Sequence, residues 1–210
     1  MDHSFHLFVF LCWIIYAILH SVMASAYFKR YVQQWMGRLF RYYRLIYSCI
    51  AAVLLILLLF FQFSRSSIVL VKHSWPLVMA GLPMSLAGLV VMIKCVKKYF
   101  LNLSGVDVLL KQQKSTLLEQ SGLHRYVRHP LYSGTLLFVW ALFLLFPFLN
   151  NLIACVVITA YTLIGIRIEE HKLVLEFGDA YRRYAAKTPK LIPVFWKRPS
   201  GKAGDYAEQA

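Results

Sequence analysis

Residues 128–170 read RHPLYSGTLLFVWALFLLFPFLNNLIACVVITAYTLIGIRIEE. Basic and ring-bearing residues open the stretch at Arg128, His129 and Tyr132, and two carboxylates close it at Glu169 and Glu170. Between them lie two apolar legs, Leu131 to Leu149 and Leu152 to Ile168. Pro147 and Asn150-Asn151 end the first leg and predict a tight reversal. At about 1.5 Å per helical residue each leg with its flanks is roughly 30 Å long, one bilayer core. A hairpin of two such legs returns Glu169 and Glu170 to the face that Arg128 and His129 leave. Cationic and anionic groups far apart in sequence then meet at one edge of a membrane. Pro130 fits the first turn of the outbound helix, where its missing N–H is harmless.

The same pattern recurs upstream. Three further apolar segments run from Ser4 to Ala26, Tyr43 to Phe63 and Trp75 to Val96. The chain has 210 residues, is 60% hydrophobic and has a mean hydropathy of +0.59. That is too apolar for an ordinary soluble domain. Backbone groups in lipid must bond within their own segment, so spanning helices are expected, and no alternating strand pattern competes. The predicted fold is an all-α integral membrane protein. Its five transmembrane helices form a single domain over residues 1–198, followed by a disordered tail over 199–210. Ala24-Ser25-Ala26 resembles a signal cleavage site, but no Lys or Arg precedes the first apolar run, so that run is expected to be a span.

The formal charge of +14 would suggest nucleic acid on a soluble protein. Here the basic residues flank spans. Of 23 Lys and Arg, only Arg65 and Lys72 fall on the side opposite the others. This asymmetry predicts an outer N-terminus and a cytoplasmic C-terminus; the expected setting is a bacterial inner membrane rather than the endoplasmic reticulum. Membrane lipid, not nucleic acid, is the expected partner of the charge. The four cysteines lie in or at the ends of apolar segments without a CxxC pair and read as small packing residues.

The longest connection runs from Lys97 to Gly122. Asn102-Leu103-Ser104-Gly105 predicts a turn in it, and Lys111 to Lys114 is polar. Beyond Glu170, an apolar stripe of Leu173, Val174, Phe177, Tyr181 and Tyr184 recurs at helical spacing. It predicts a cytoplasmic amphipathic helix that lies on the membrane or folds over the polar site, with Gly178-Asp179 its weak point. Pro189, Pro193 and Trp196 close the folded part. Tyr181 and Tyr184 on this stripe are candidate acceptor-binding residues.

The chemistry of the two clusters is mixed. His129 binds anions, donates hydrogen bonds or moves protons near neutrality. Arg128 holds a carboxylate or phosphate in a fork. Glu169 and Glu170 suit a ribose diol, a cationic amine or a proton. Tyr126 and Tyr132 offer ring faces and hydroxyls. Gly134 leaves space for a ligand or another helix. A metal fits poorly, since one His beside two adjacent carboxylates lacks a full ligand spacing. Against all this stands a plain reading, in which Arg-His anchors a span at the interface and the Glu pair is solvated. His20, with Ser21 beside it, lies inside the first apolar segment, either as a helix-packing residue or at the inner mouth of a cavity.

Gly122-Leu123-His124-Arg125-Tyr126-Val127-Arg128-His129-Pro130-Leu131-Tyr132-Ser133-Gly134, with Glu169-Glu170, Leu173, Phe177-Gly178, Tyr181, Tyr184 and Pro193, resembles the isoprenylcysteine carboxyl methyltransferase and phospholipid methyltransferase superfamily. The front half, with Leu19-His20-Ser21 and Tyr42-Tyr43-Arg44, is more weakly similar to bacterial NnrU-like and thiol methyltransferase relatives. The resemblance implies S-adenosylmethionine as cofactor. It implies that Gly122, His124, Tyr126, Val127, Arg128, His129, Pro130, Tyr132 and Gly134 line its site, with Glu169 and Glu170 joining from the returning helix. His124 stands where such proteins often have Tyr. Catalysis would fall to His129, Glu169 and Glu170. The implied reaction is methyl transfer to a lipophilic acceptor: a prenylcysteine carboxylate, a lipid amine or a small thiol. The alternatives are an NADPH-dependent membrane sterol reductase, whose relatives carry a similar Arg-His-Pro motif, and a non-enzymatic membrane sensor or assembly protein.

Overall fold

The computed structural model describes residues 3–104 and 118–193, with no side-chain description for 99–104. Six α-helices account for most of it: α1 His3–Ala24, α2 Ala26–Met36, α3 Tyr43–Gln62, α4 Trp75–Ser104, α5 Pro130–Leu145 and α6 Leu149–Lys187. Four helical stretches are long and apolar enough to cross a membrane: His3–Ala24, Ala26–Gln62, Trp75–Lys98 and Leu149–Lys187. Helix α5 is apolar but has 16 residues, about 24 Å at helical rise, which is short of a full bilayer core.

Several boundaries differ from those the sequence predicts. Helix α5 stops at Leu145, and the reversal is made by Phe146-Pro147-Phe148. Asn150 and Asn151 instead lie in the first turn of α6, buried and bonded. Asn150 Nδ2 donates to the Gln62 carbonyl (3.0 Å) and Asn151 Nδ2 to the Phe146 carbonyl (2.8 Å). Gln62 Nε2 donates to Asn151 Oδ1 (3.1 Å), and Trp13 Nε1 donates to Gln62 Oε1 (2.7 Å). Each buried amide finds at least one partner, although Asn150 Oδ1 has none among the described residues. Helix α4 runs to Ser104, so Asn102–Ser104 continue a helix rather than begin a turn. Gly105, the Lys111–Lys114 stretch, Trp196 and the tail over 199–210 lie outside the described residues.

The segment between the first two predicted spans contains α2. Ser25 caps it by accepting from Phe28 N (3.2 Å), and Gly37 ends it at φ 49. Tyr27, Tyr31 and Trp35 recur every fourth residue and are exposed. An aromatic stripe beside Lys29 and Arg30 is the pattern of a helix lying in a membrane interface.

A buried cluster joins Phe5, Val9 and Trp13 of α1 to Leu58 of α3 and Ala154 and Val157 of α6. Near it, the α3–α4 connection meets the α5–α6 turn. Leu70 N donates to Pro147 O and Leu149 N to Ile68 O, both at 2.9 Å, and His6 Nε2 lies 3.2 Å from Ser67 Oγ. The N-terminus and these two connections therefore share one end of the bundle.

Helices α4 and α5 touch through small residues. A Cβ on Gly88 would come within 2.7 Å of Phe138 N and 2.9 Å of Gly134 O. One on Gly134 would meet Val91 Cγ1 at 2.9 Å, and one on Gly81 would meet Leu145 Cγ at 2.8 Å. Such close approach is how helices associate where lipid gives no hydrophobic drive. Of the two uses open to Gly134, the structure shows contact with another helix. Because the obstacle at Gly88 is backbone, Gly88→Val is expected to part the helices and cost about 1–3 kcal/mol. Thermal unfolding in detergent checks this, and an unchanged midpoint would refute it.

Helix α6 does not stop at the predicted end of its span. It continues as one helix to a kink at Gly178 (φ 53, ψ −127) and on to Lys187. The residues predicted as a separate amphipathic helix thus extend the last apolar helix. Tyr181 and Tyr184 are buried, and Leu173, Val174 and Phe177 are half-buried, while Leu175 and Glu176 between them are exposed.

Candidate active site

The site forms where the chain enters α5. His129 occupies the N-cap position at φ −123, ψ 66, and Pro130 begins the helix. The residue before a proline is pushed out of helical conformation, which fixes the turn here. The backbone N–H groups of Arg128 and His129 donate to the carbonyls of Pro189 (2.9 Å) and Lys190 (3.1 Å). The segment after α6 is therefore tied onto the motif. Ser133 Oγ adds a bond to the Leu191 carbonyl (2.7 Å).

Glu170 is the hub. Its Oε1 lies 2.9 Å from Arg128 Nη1 and 3.4 Å from His129 Nε2, and accepts from Tyr181 Oη at 3.3 Å. Its Oε2 meets Lys190 Nζ at 2.8 Å. The side chains of Arg128 and Glu170 are 9% and 15% exposed. Burial pushes the Glu170 pKa up, but the bonds from Lys190 and the charge of Arg128 outweigh it and hold the carboxyl below its ordinary value. A carboxylate so fully engaged is a structural anchor.

Glu169 differs. Its side chain is 46% exposed, with Oε2 3.8 Å from His129 Nδ1. His129 itself is buried, and its ring stacks on Tyr132 at 5.7 Å between centroids. Arg128 Nε is buried and has no hydrogen-bond partner among the described residues, and its guanidinium carbon lies 6.0 Å from the Tyr181 ring centre. The cluster thus keeps one accessible carboxylate and one unmet cationic donor.

The other predicted residues divide. His124 Nδ1 donates to the Arg128 carbonyl (3.0 Å), and Tyr184 Oη donates to the His124 carbonyl (2.7 Å). Burial pushes His124 below the ordinary histidine value, against the opposing effect of its bond to Arg128. Gly122 starts a short 3-10 turn at φ 62, a left-handed conformation that favours glycine. Val127 and Pro130 are buried beneath the motif, whereas Tyr126 is exposed. Gly134 faces α4, away from the carboxylates.

Two features escape the sequence reading. Lys190 completes the Glu170 cluster, and only the Pro189–Pro193 spacing hints at a return path after α6. Glu119 accepts from Ser121 N (2.9 Å) and Oγ (2.6 Å) and pairs with Lys98 Nζ at 3.1 Å. The Ser121 hydroxyl bond leads the effects that hold Glu119 down at about 2, ahead of a small opposing burial. This clasp fastens the approach to the motif to the end of α4.

The phospholipid methyltransferase family model matches residues 77–180, from α4 through the motif and the carboxylate pair. Methanethiol S-methyltransferase 1 of Bradyrhizobium diazoefficiens is 30% identical over 191 residues, 88% of this chain. The chain spans 65% of that relative's length. Methanethiol S-methyltransferase of Crocosphaera subtropica is 30% identical over 199 residues, covering 88% of this chain and 73% of the relative. Protein-S-isoprenylcysteine O-methyltransferase of Schizosaccharomyces pombe is 40% identical over 87 residues, 40% of this chain and 36% of its own. No solved structure matches. With the motif and the Glu pair inside the matched segment, and a relative matched over most of its length, this integral membrane chain belongs to the phospholipid methyltransferase family.

Proposed function

We propose that this protein transfers a methyl group from S-adenosylmethionine to a small, membrane-partitioned thiol. The observation that carries the reading is the asymmetry of the glutamate pair: Glu170 is locked among Arg128, His129, Tyr181 and Lys190, while Glu169 stays accessible beside His129. The residues suit a zwitterionic nucleoside. Arg128 Nε offers an unmet donor for a carboxylate. Tyr132 and His129 offer ring faces. The bound sulfonium supplies an activated methyl carbon, so the protein's task is alignment and exclusion of water.

The extent of the likeness favours a thiol acceptor. Matches to methanethiol S-methyltransferases take in 88% of the chain, which necessarily includes much of α1–α3. The prenylcysteine enzyme matches 40% of it, and the family segment begins only at residue 77. A thiol must lose a proton to become nucleophilic. Glu169 is the basic group with an exposed face, and that exposure gives the proton an exit to water.

The membrane arrangement proposed with this function has five crossings, an outer N-terminus and a cytoplasmic site, in a bacterial inner membrane. The basic residues gather with the site, and the N-terminus lies with the Ile68 and Pro147 connections at the other end. The extension of α6, with Phe177 and Tyr181, roofs the site. A lipophilic acceptor then enters from the bilayer and the soluble donor from the cytoplasm.

Equilibrium binding to purified protein tests the reading. S-adenosylmethionine is expected to bind saturably and NADPH not to bind. NADPH binding alone would favour the reductase alternative, and binding of neither would favour a non-enzymatic role.

A further inference from the structure

One cluster is not used by the site above. His20 of α1, Tyr47 of α3 and Tyr161 of α6 meet between the helices. Tyr47 Oη lies 3.0 Å from His20 Nε2, with ring centres 5.3 Å apart. Tyr161 stands edge-on to His20 at 6.1 Å and accepts from Ser21 Oγ at 3.3 Å. Tyr47 and His20 bond each other and Tyr161 bonds Ser21, so the three rings form an aromatic floor.

Tyr161, Gly165 and Glu169 follow at every fourth residue and share one face of α6. From Tyr161 to Glu169 is two turns, about 12 Å of rise. Midway, a Cβ added to Gly165 would find no atom outside its own helix turn within 4 Å. This is open space at a helix position, the opposite of Gly88 and Gly134. Tyr132 stands at the upper end, its hydroxyl bonded to the Glu169 carboxylate while its ring stacks on His129.

We infer that the space over Gly165, floored by His20, Tyr47 and Tyr161 and opening toward Glu169 and Tyr132, is the acceptor subsite and is sized for a small alkanethiol. The inference rests on the thiol reading above and names its site. The alkyl group sits against the ring faces and the sulfur points up toward Glu169. Two helical turns, about 12 Å of rise, separate the floor from Glu169, a distance that suits a short chain rather than a prenyl group. The S–H bond breaks and its proton goes to the Glu169 carboxylate. The thiolate sulfur forms a bond to the methyl carbon of the sulfonium donor. The old C–S bond breaks, and its electron pair stays on the departing thioether sulfur. His20 is a positioning residue here, holding Tyr47 across the floor. Gly165 and Tyr161 set the length of acceptor that fits.

The test uses the full-length protein, labelled S-adenosylmethionine, and methanethiol, ethanethiol and 1-hexanethiol as acceptors. Gly165→Leu fills the space and is expected to lower kcat/KM for methanethiol by about 10–200-fold, the range that one or two misplaced carbon groups command in an apolar pocket. Donor affinity should be unchanged. Tyr161→Leu deepens the space and is expected to move preference toward 1-hexanethiol by a factor in the same range of about 10–200. Gly165→Ala gives a smaller graded loss and serves if the leucine variant fails to fold. Unchanged methanethiol kinetics in folded Gly165 variants would overturn the subsite. Loss of donor binding in step with turnover would move Gly165 to the donor site and overturn it equally. A wild-type protein that binds donor but methylates no thiol would remove the thiol reading itself, and the subsite with it.

Discussion

Glu170→Gln is expected to destabilise the protein by about 3–5 kcal/mol, the cost of leaving a buried charge unpaired. The charge left unpaired is that of Arg128, whose side chain is 9% exposed and whose Nη1 is held by Glu170 Oε1 at 2.9 Å. Removing the carboxylate charge also releases Lys190, and with it the segment bonded back onto the motif at Arg128 and His129. The pH dependence follows the same bond. Folding holds the Glu170 pKa below its unfolded value, so its contribution is complete above the unfolded pKa, roughly 4.3, and is lost as pH falls through the lower folded value. Chemical or thermal unfolding in detergent, for wild type and variant across acid pH, measures both effects. A variant as stable as wild type would mean that Arg128 finds solvent or another partner.

Glu169→Gln is expected to do the reverse. Its side chain is half-exposed, with a long contact to His129 and a bond from the Tyr132 hydroxyl that glutamine can still accept, so stability should change little. Turnover on a thiol should fall by about 10²–10⁴-fold, the usual contribution of a positioned general base. The loss should shrink as pH rises and more acceptor is already thiolate. Steady-state kinetics on the two single variants, with unfolding curves beside them, separate the roles of adjacent glutamates. Equal losses of stability and activity in both would contradict the division between anchor and base.

The site was legible in the sequence through spacing. Two apolar legs of similar length, turning at Pro147, bring Arg128 and His129 to Glu170, and the structure closes that contact at 2.9 and 3.4 Å. What spacing cannot assign is which glutamate is engaged. That depends on a chain return after Thr188, which places Lys190 against Glu170 and has no periodic signature. Gly134 shows a related limit. A small residue in an apolar helix means close approach, but whether to ligand or helix depends on where Gly88 lies across α4. The α5 boundary moved because Asn150 donates to the Gln62 carbonyl and Asn151 accepts from the Gln62 amide, long-range bonds that override their local turn preference. Helix α2 did leave a signal in the fourfold spacing of Tyr27, Tyr31 and Trp35, hidden among basic residues that read as a connection.

The reaction proposed for the Arg128–His129–Glu169–Glu170 site is methyl transfer to a small thiol. Its most direct test is incubation of purified protein in detergent or nanodiscs with methyl-labelled S-adenosylmethionine and methanethiol, measuring label in dimethyl sulfide. The expected result is labelled thioether from wild type and a strong loss with Glu169→Gln in a protein that remains folded. No labelled thioether from folded wild type that binds the donor, or full activity in the Glu169 variant, would contradict it.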